Sequence, residues 1–279
     1  MADDATERAV SAHYSGRALL KRVISALLAA GIDPAEVTVE QLAPLDNFHS
    51  FGVAGTLEMA RSTQVTATDR VLDVGGGIGG PARLLAHRIG CAVTVLDLSP
   101  DFCALGETMT AWTQLAEKVT FVCGSALQAP FPDASFDVVW TQHAAMSIAN
   151  KPQFYAEVQR VLRPGGRFAL FDVVAGPNAP VLFPLPWADG PETSFLLPPG
   201  EIRALVTSAG FRERMWAEGA EVAQRFAQPL APAGAPEKLN PDLIDNVWMG
   251  ALGPERLRNV QRNMQSGSIT LALGVFERI

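Results

Sequence analysis

The stretch Arg70-Val71-Leu72-Asp73-Val74-Gly75-Gly76-Gly77-Ile78-Gly79-Gly80 joins a carboxylate to bare backbone, and that pairing can hold a ligand. An apolar run carries Asp73 near its end, and Gly75, Gly77 and Gly79 follow at alternate positions. Glycines let the main chain approach a bound molecule with no Cβ in the way. Pro81 suits the first turn of a helix, where its missing N–H has no partner to lose. A strand, a glycine turn and a helix N-terminus together make a site for an adenosine-type ligand. The spacing admits two such ligands. Gly75, Gly77 and Gly80 fit the dinucleotide pattern G-x-G-x-x-G, a weak signal alone. Gly75, Gly77 and Gly79 fit G-x-G-x-G, with Asp73 two residues ahead of it.

Other residues of the right type stand at the ends of later apolar runs. Asp97 closes the second run about twenty residues after the turn, where a carboxylate accepts from both hydroxyls of a ribose. The alternative for Asp97 is a cap on the turn before Ser99-Pro100. Leu98 beside it is placed against the base. Gln142 and His143 follow a later strand, and ligands of open parallel sheets lie beyond the carboxyl ends of the strands. Gln142 therefore falls at the boundary of cofactor and substrate. His143 is the candidate general base, because an ordinary imidazole accepts a proton near neutrality. A structural hydrogen bond is its alternative. His49 and Tyr14 lie in the N-terminal segment and are candidates to reach the reacting molecule and to close over the site. Their alternatives are a loop hydrogen bond and helix packing. Trp187 is expected as an apolar wall, and Trp112 and Trp248 as packing.

These residues need a frame. From Arg70 onward strand and helix patterns alternate: strands at 71–74, 91–97, 119–123, 136–140 and 167–172, with helices at 102–115 and 152–162 between them. Apolar strands alternating with helices predict a mostly parallel sheet covered on both faces. Residues 7–31 show helical periodicity stopping at Gly31, and 36–42 and 55–61 read as shorter helices. A long Pro-rich connection after the fifth strand reads as a functional loop or lid. A helix over 199–209, a strand near 211–217, two helical pieces within 221–265 and a last strand over 268–276 follow.

Bulk composition narrows the classes. The 279 residues suffice for a full core, and one domain with insertions fits the length. A net charge of −7 argues against nucleic acid, which needs a basic face. Cys91, Cys103 and Cys123 are odd in number and unpaired in spacing, so they read as reduced core residues rather than a zinc site. No metal is expected. The acidic, polar start is no signal peptide, and the apolar run 19–32 is broken by Lys21 and Arg22. A cytoplasmic location follows, with no membrane partner.

From about Leu45 to Ala217 the chain resembles class I S-adenosylmethionine (SAM)-dependent methyltransferases. The resemblance is strongest to the small-molecule branch with sarcosine/dimethylglycine N-methyltransferases and ubiquinone/menaquinone C-methyltransferases. It is carried by Asp46-Asn47-Phe48-His49, the Asp73 glycine turn running into Pro81-Ala82-Arg83, Asp97, Pro130-Phe131-Pro132-Asp133, and Arg163-Pro164-Gly165-Gly166. It implies an α/β fold: a Rossmann-like class I methyltransferase sheet, mostly parallel with an antiparallel last strand, bearing helical cap insertions. Residues 1–60 become an N-terminal helical cap and 61–279 the SAM-binding core, with a lid at 176–199 and a helical insertion at 221–265. Under it Asp73 receives the ammonium of SAM, and Gly75, Gly77 and Gly79 line its methionine part and ribose. The family usually has Gly-Asp-Ala where this chain has Gly124-Ser125-Ala126, so adenine contacts are expected from Ser125 and the Ala126 backbone. The implied reaction is in-line methyl transfer to N, O or C of a small, partly hydrophobic metabolite, by a monomer or homodimer. SAM-dependent cyclisation or other non-methyl chemistry, and a non-catalytic ligand-binding module, are the alternatives. Replacing Asp97 by Ala is expected to weaken SAM binding; unchanged calorimetric affinity would refute the ribose role.

Overall fold

The computed structural model describes residues 2–14, 19–47, 49–178, 180–226 and 252–279. Seven strands form one sheet in the order β3-β2-β1-β4-β5-β7-β6. They are β1 (Arg70–Val74), β2 (Ala92–Asp97), β3 (Val119–Cys123), β4 (Phe136–Gln142), β5 (Leu162–Ala175), β6 (Phe211–Glu218) and β7 (Ile269–Arg278). The first five run parallel, and β7 inserts antiparallel between β5 and β6. The expected mostly parallel sheet with an antiparallel last strand is therefore present.

Alternation of side chains along each strand divides the core in two. Val71, Val93, Val138, Trp140 and Phe171 pack on one face, with Met59, Ala82 and Leu85 from the helices α4 (Gly52–Thr63) and α5 (Gly80–Arg88). Leu72, Val74, Val139, Phe168 and Leu170 pack on the other, with Phe154, Tyr155 and Val158 from α7 (Lys151–Val161) and Val206 from α8 (Pro199–Ser208). Both faces are apolar because both are covered, and burying each such side chain is worth roughly 1.5–3 kcal/mol. The helix α6 (Pro100–Trp112) starts at Ser99, whose hydroxyl accepts from the Phe102 N–H.

Within the stretch expected to be helical, α1 (Ala2–Tyr14) and α2 (Leu19–Ala29) are described as helix, and residues 15–18 between them lie outside the described residues. Gly31 takes φ +73°, so it does mark the stop. The next helix, α3 (Val39–Asp46), starts three residues later than expected because Thr38 and Gln41 form a reciprocal capping box. Leu19, Val23 and Leu27 of α2 pack with Leu42 and Leu45 of α3 onto Leu105 and Met109 of α6.

One ion pair fastens this cap to the sheet. Asp46 ends α3 and accepts from Arg83 Nη2 at 2.9 Å; Arg83 is fully buried and also donates to Thr110 Oγ1 at 2.9 Å. The backbone of Asp46 lies so close to Gly80 that any Cβ there would collide with its carbonyl oxygen. Burial pulls the Arg83 guanidinium below its ordinary value, and Asp46 opposes that shift. Removing one partner of such a pair strands the other charge away from water. Asp46→Ala is therefore expected to cost about 3–5 kcal/mol in denaturant unfolding; an unchanged midpoint would show that the cap is held by its apolar contacts alone.

Candidate functional site

The strand order reverses direction between β1 and β4, and the crevice of an open α/β sheet forms at that switch point. Asp73 pairs with Val95 on one side and Trp140 on the other, in the middle of the sheet. The chain then turns sharply, with Gly75, Gly77 and Gly79 at φ +69°, +57° and +80°. Side chains resist that region, so the alternate glycines are a backbone requirement. Gly75 donates to the Leu96 carbonyl at 2.7 Å, and a Cβ on it would strike Ala144.

The carboxyl of Asp73 folds beneath this turn. A Cβ on Gly76 would sit 2.6 Å from its Oδ2. Asp73 is 1% exposed, and Oδ2 has no hydrogen-bond partner. Desolvation, and secondarily the charge of Asp97, raise its pKa to about 7. Asp97 behaves differently. Its Oδ2 accepts from Gly77 N–H and its Oδ1 from Ser99 N–H, each at 2.9 Å. The turn-capping role and the ligand-facing position coincide in one residue. A carboxylate has roughly four acceptor sites, so both oxygens retain a lone pair. Burial still lifts the Asp97 carboxyl above the usual range, against those backbone donors.

Leu98, Phe102, Gly124, Ala126 and Leu127 line the same cavity as Asp97. Ser125 does not line it. Its hydroxyl donates to Oε1 of Glu7 in α1 and accepts from Leu127 N–H at 3.0 Å. Glu7, to which no sequence signal pointed, does line the cavity.

The end of β4 brings the histidines together. Gln142 is 7% exposed; its Oε1 accepts from Trp140 Nε1 at 3.2 Å and Thr56 Oγ1 at 3.3 Å, and its Nε2 lies 2.9 Å from His49 Nδ1. His143 takes φ +54°, a conformation in which His is tolerated better than most residues. Its Nε2 lies 3.0 Å from Ser50 Oγ, its ring stands edge-on to Phe171, and its buried Nδ1 has no partner. The two histidine rings are 5.9 Å apart. Burial, and then the neighbouring His49, drop His143 to about 3; burial drops His49 to about 4. His143 therefore departs from the ordinary imidazole value that its reading as a base assumes. Tyr14 is the last residue of α1, and its side chain lies outside the described residues, as does Trp248.

The remaining walls are apolar. Val10 of α1, Met146, Ile148, Val173 and Trp187 line the cavity, and so do Leu257, Val260 and Met264 on one stripe of α10 (Gly253–Ser266). Trp187 thus stands where an apolar wall was expected, with Nε1 donating to Ser194 Oγ at 3.0 Å. A second stripe of α10 pins the loop that carries it. Arg256 donates to the Leu185 carbonyl at 2.6 Å, Asn259 to Pro184 at 3.1 Å, and Asn263 both donates to and accepts from the Leu182 backbone. Spacings of three and four put these buried polar residues on one helix face. The short helix α9 (Ala220–Phe226) precedes residues 227–251, which lie outside the described ones, together with the expected linker at 228–236. The whole cavity measures about 500 Å³. Among its described lining residues the charged ones are Glu7, Asp46, Asp73 and Asp97, and there is no Lys or Arg.

A glycine turn over a buried acid at the switch point, in a seven-stranded sheet with β7 antiparallel, defines the Rossmann-like class I methyltransferase fold. Residues 72–170 match the family described as a methyltransferase domain. It is 32% identical over 189 residues to a 2-methyl-6-phytyl-1,4-hydroquinone methyltransferase of Synechocystis, covering 66% of this chain and 55% of that one. It is 30% identical over 152 residues to a sarcosine/dimethylglycine N-methyltransferase of Halorhodospira halochloris, covering 54% of each. The chain spans less than two thirds of the length of these curated relatives. A geranyl diphosphate C-methyltransferase from Streptomyces coelicolor superposes with a TM-score of 0.66 at 14% identity, over 98% of both chains, which shows a shared fold.

The raised Asp73 value makes a signed prediction. An acid whose folded pKa lies above its unfolded value holds its proton longer when folded, so stability falls as pH rises from about 4 to 7. Asp73→Asn removes that titration. The melting temperature of the variant relative to the parent is expected to become more favourable between pH 4 and pH 8; a difference independent of pH would contradict a buried, unpaired carboxyl.

Proposed function

We propose that the chain is a SAM-dependent methyltransferase that moves a methyl group, in line, to N, O or C of a small, partly hydrophobic metabolite. The observation that carries this reading is the unpartnered Oδ2 of Asp73, buried beneath the glycine turn in the same cavity as His143. A buried carboxyl without a partner is costly, and an ammonium laid along the turn would satisfy it. Asp97 has acceptor sites left for a ribose, and Leu98 and Phe102 give a base an apolar bed. The residues present therefore fit SAM. Bound there, SAM supplies an electrophilic methyl on a sulfonium whose positive charge is lost in the transfer.

The protein's share is alignment and exclusion of water, and orientation of this kind is worth roughly 7–11 kcal/mol. Val10 of α1, Trp187 and the α10 stripe offer the acceptor apolar surface in the cavity. Gln142 is held by three partners and keeps His49 in place. His143, neutral, offers Nδ1 to a polar atom of the acceptor. With carboxylates but no Lys or Arg among the described lining residues, the cavity favours a neutral or cationic acceptor over a phosphate or carboxylate. Residues 1–60 act in this reading as the cap, 61–279 as the core, 176–199 as the lid and 221–265 as the insertion.

A cytoplasmic setting, a small-molecule partner without nucleic acid, and a monomer or homodimer complete the proposal. The net charge of −7 and the free Cys91, Cys103 and Cys123 support it. No helix among the described residues is long and apolar enough to cross a membrane. The test is an acceptor screen with SAM, read by mass spectrometry for S-adenosylhomocysteine and product. Gain of one methyl group by a neutral or cationic acceptor is expected. Turnover without a mass gain would mean cyclisation-type chemistry, and SAM binding with no S-adenosylhomocysteine from any acceptor would mean a binding module.

A further inference from the structure

Ser125 lies outside the cavity wall, but the carboxylate it holds lies on it. Glu7 sits in the middle of α1, a helix of 13 residues that contributes Thr6, Glu7, Val10 and Ser11 to the cavity lining, and its Oε1 accepts a hydrogen bond from the Ser125 hydroxyl. The Ser125 oxygen is fixed in turn by Leu127 N–H, so the hydroxyl has one direction in which to donate. Glu7 lines the same cavity as the apolar Leu98, Phe102, Ala126 and Leu127, and its Oε2 is not used by the Ser125 bond. Apolar side chains with a fixed acceptor among them suit a flat heterocycle bearing an exocyclic amino group.

We propose that Glu7, oriented by Ser125, reads the amino edge of the adenine base, so that the N-terminal helix completes the nucleoside site. This rests on the SAM reading above and adds to it a specificity-determining residue from outside the sheet. The chemistry is selective. A carboxylate accepts from an amino group and repels the carbonyl oxygen that inosine carries at the same place. It also couples the two halves of the cavity, because the other end of α1 is tied to the loop of Trp187: His13 Nε2 lies 3.1 Å from the Pro186 carbonyl.

The experiment is calorimetric titration of the full chain with S-adenosylhomocysteine and with its inosine counterpart, S-inosylhomocysteine. The parent is expected to favour the adenosine compound by roughly 100-fold, the scale of a charge-assisted hydrogen bond made against one replaced by repulsion. Glu7→Gln can turn either its oxygen or its amide toward the base, so its preference is expected to collapse to within about threefold. Ser125→Ala leaves the carboxylate but frees its direction, and should give an intermediate ratio of about tenfold. Thermal melts of both variants confirm folding, and the ratio within each protein is independent of any general loss of affinity. If both variants keep the parental ratio, Glu7 does not read the base and the inference falls while the SAM reading stands. Binding of neither nucleoside by the parent would overturn both.

Discussion

A carboxyl group buried without a partner is the constraint around which this molecule is arranged. Asp73 lies in the central strand, walled by β2 and β4 and roofed by Gly76. It is 1% exposed, and none of the described side chains neutralises it, so burial raises its pKa to about 7. Such a group is unfavourable to the empty fold. Its cost is accepted where a cation is to be held, and that is the logic of strain and unmet polarity at functional sites. The left-handed glycines follow from the same need. They bend the chain over the acid while leaving the backbone bare toward the cavity.

The parts of the site that come from outside the sheet are fixed by polar contacts buried within apolar surroundings. Asp46 and Arg83 set α3 against α5, and the loop after α3 then delivers His49 and Ser50 to the end of β4. On the opposite side, Arg256, Asn259 and Asn263 grip the backbone of the Trp187 loop. Both devices use hydrogen bonds to position, and leave the apolar residues to shape the space. Val10, Met146, Trp187 and the α10 stripe give the cavity apolar wall, and Glu7, Asp46, Asp73 and Asp97 line it as well.

Much of this was legible in the sequence, and the legible parts share a cause. Strands buried on both faces announce themselves as apolar runs, and a glycine turn just after an acid marks a bend shaped to hold a ligand. Thus β3 was located to the residue, and β1, β2 and β7 nearly so. Where a segment's conformation depends on partners far away in the chain, sequence alone was blind. The strand β5 begins at Leu162, yet its pairing with β4 and β7 runs on only from Arg167, with a register shift and Gly165 at φ +71° between, an irregularity that depends on strands far away in the chain. His143 looked like a neutral-pH base because its type suggests one, whereas its burial against Phe171 and His49 is a tertiary fact. Glu7 carried no signal beyond a place on a helix, and only the fold brings it 118 positions along the chain to Ser125. Arg256, Asn259 and Asn263 fall within the helical pieces expected in 221–265, but their partners are backbone groups that no residue type reveals.

Asp73, raised to about 7 by burial, is expected to give up its proton when a cation on an adenosine-type ligand binds beside it. Calorimetry of S-adenosylhomocysteine binding at pH 7, in two buffers of different ionisation enthalpy, counts the protons exchanged. Net proton release is expected at pH 7, declining toward zero by pH 9, as an acid titrating near 7 requires. Binding with no proton released at pH 7, or a site that takes a nicotinamide dinucleotide and refuses the sulfur nucleoside, would contradict it.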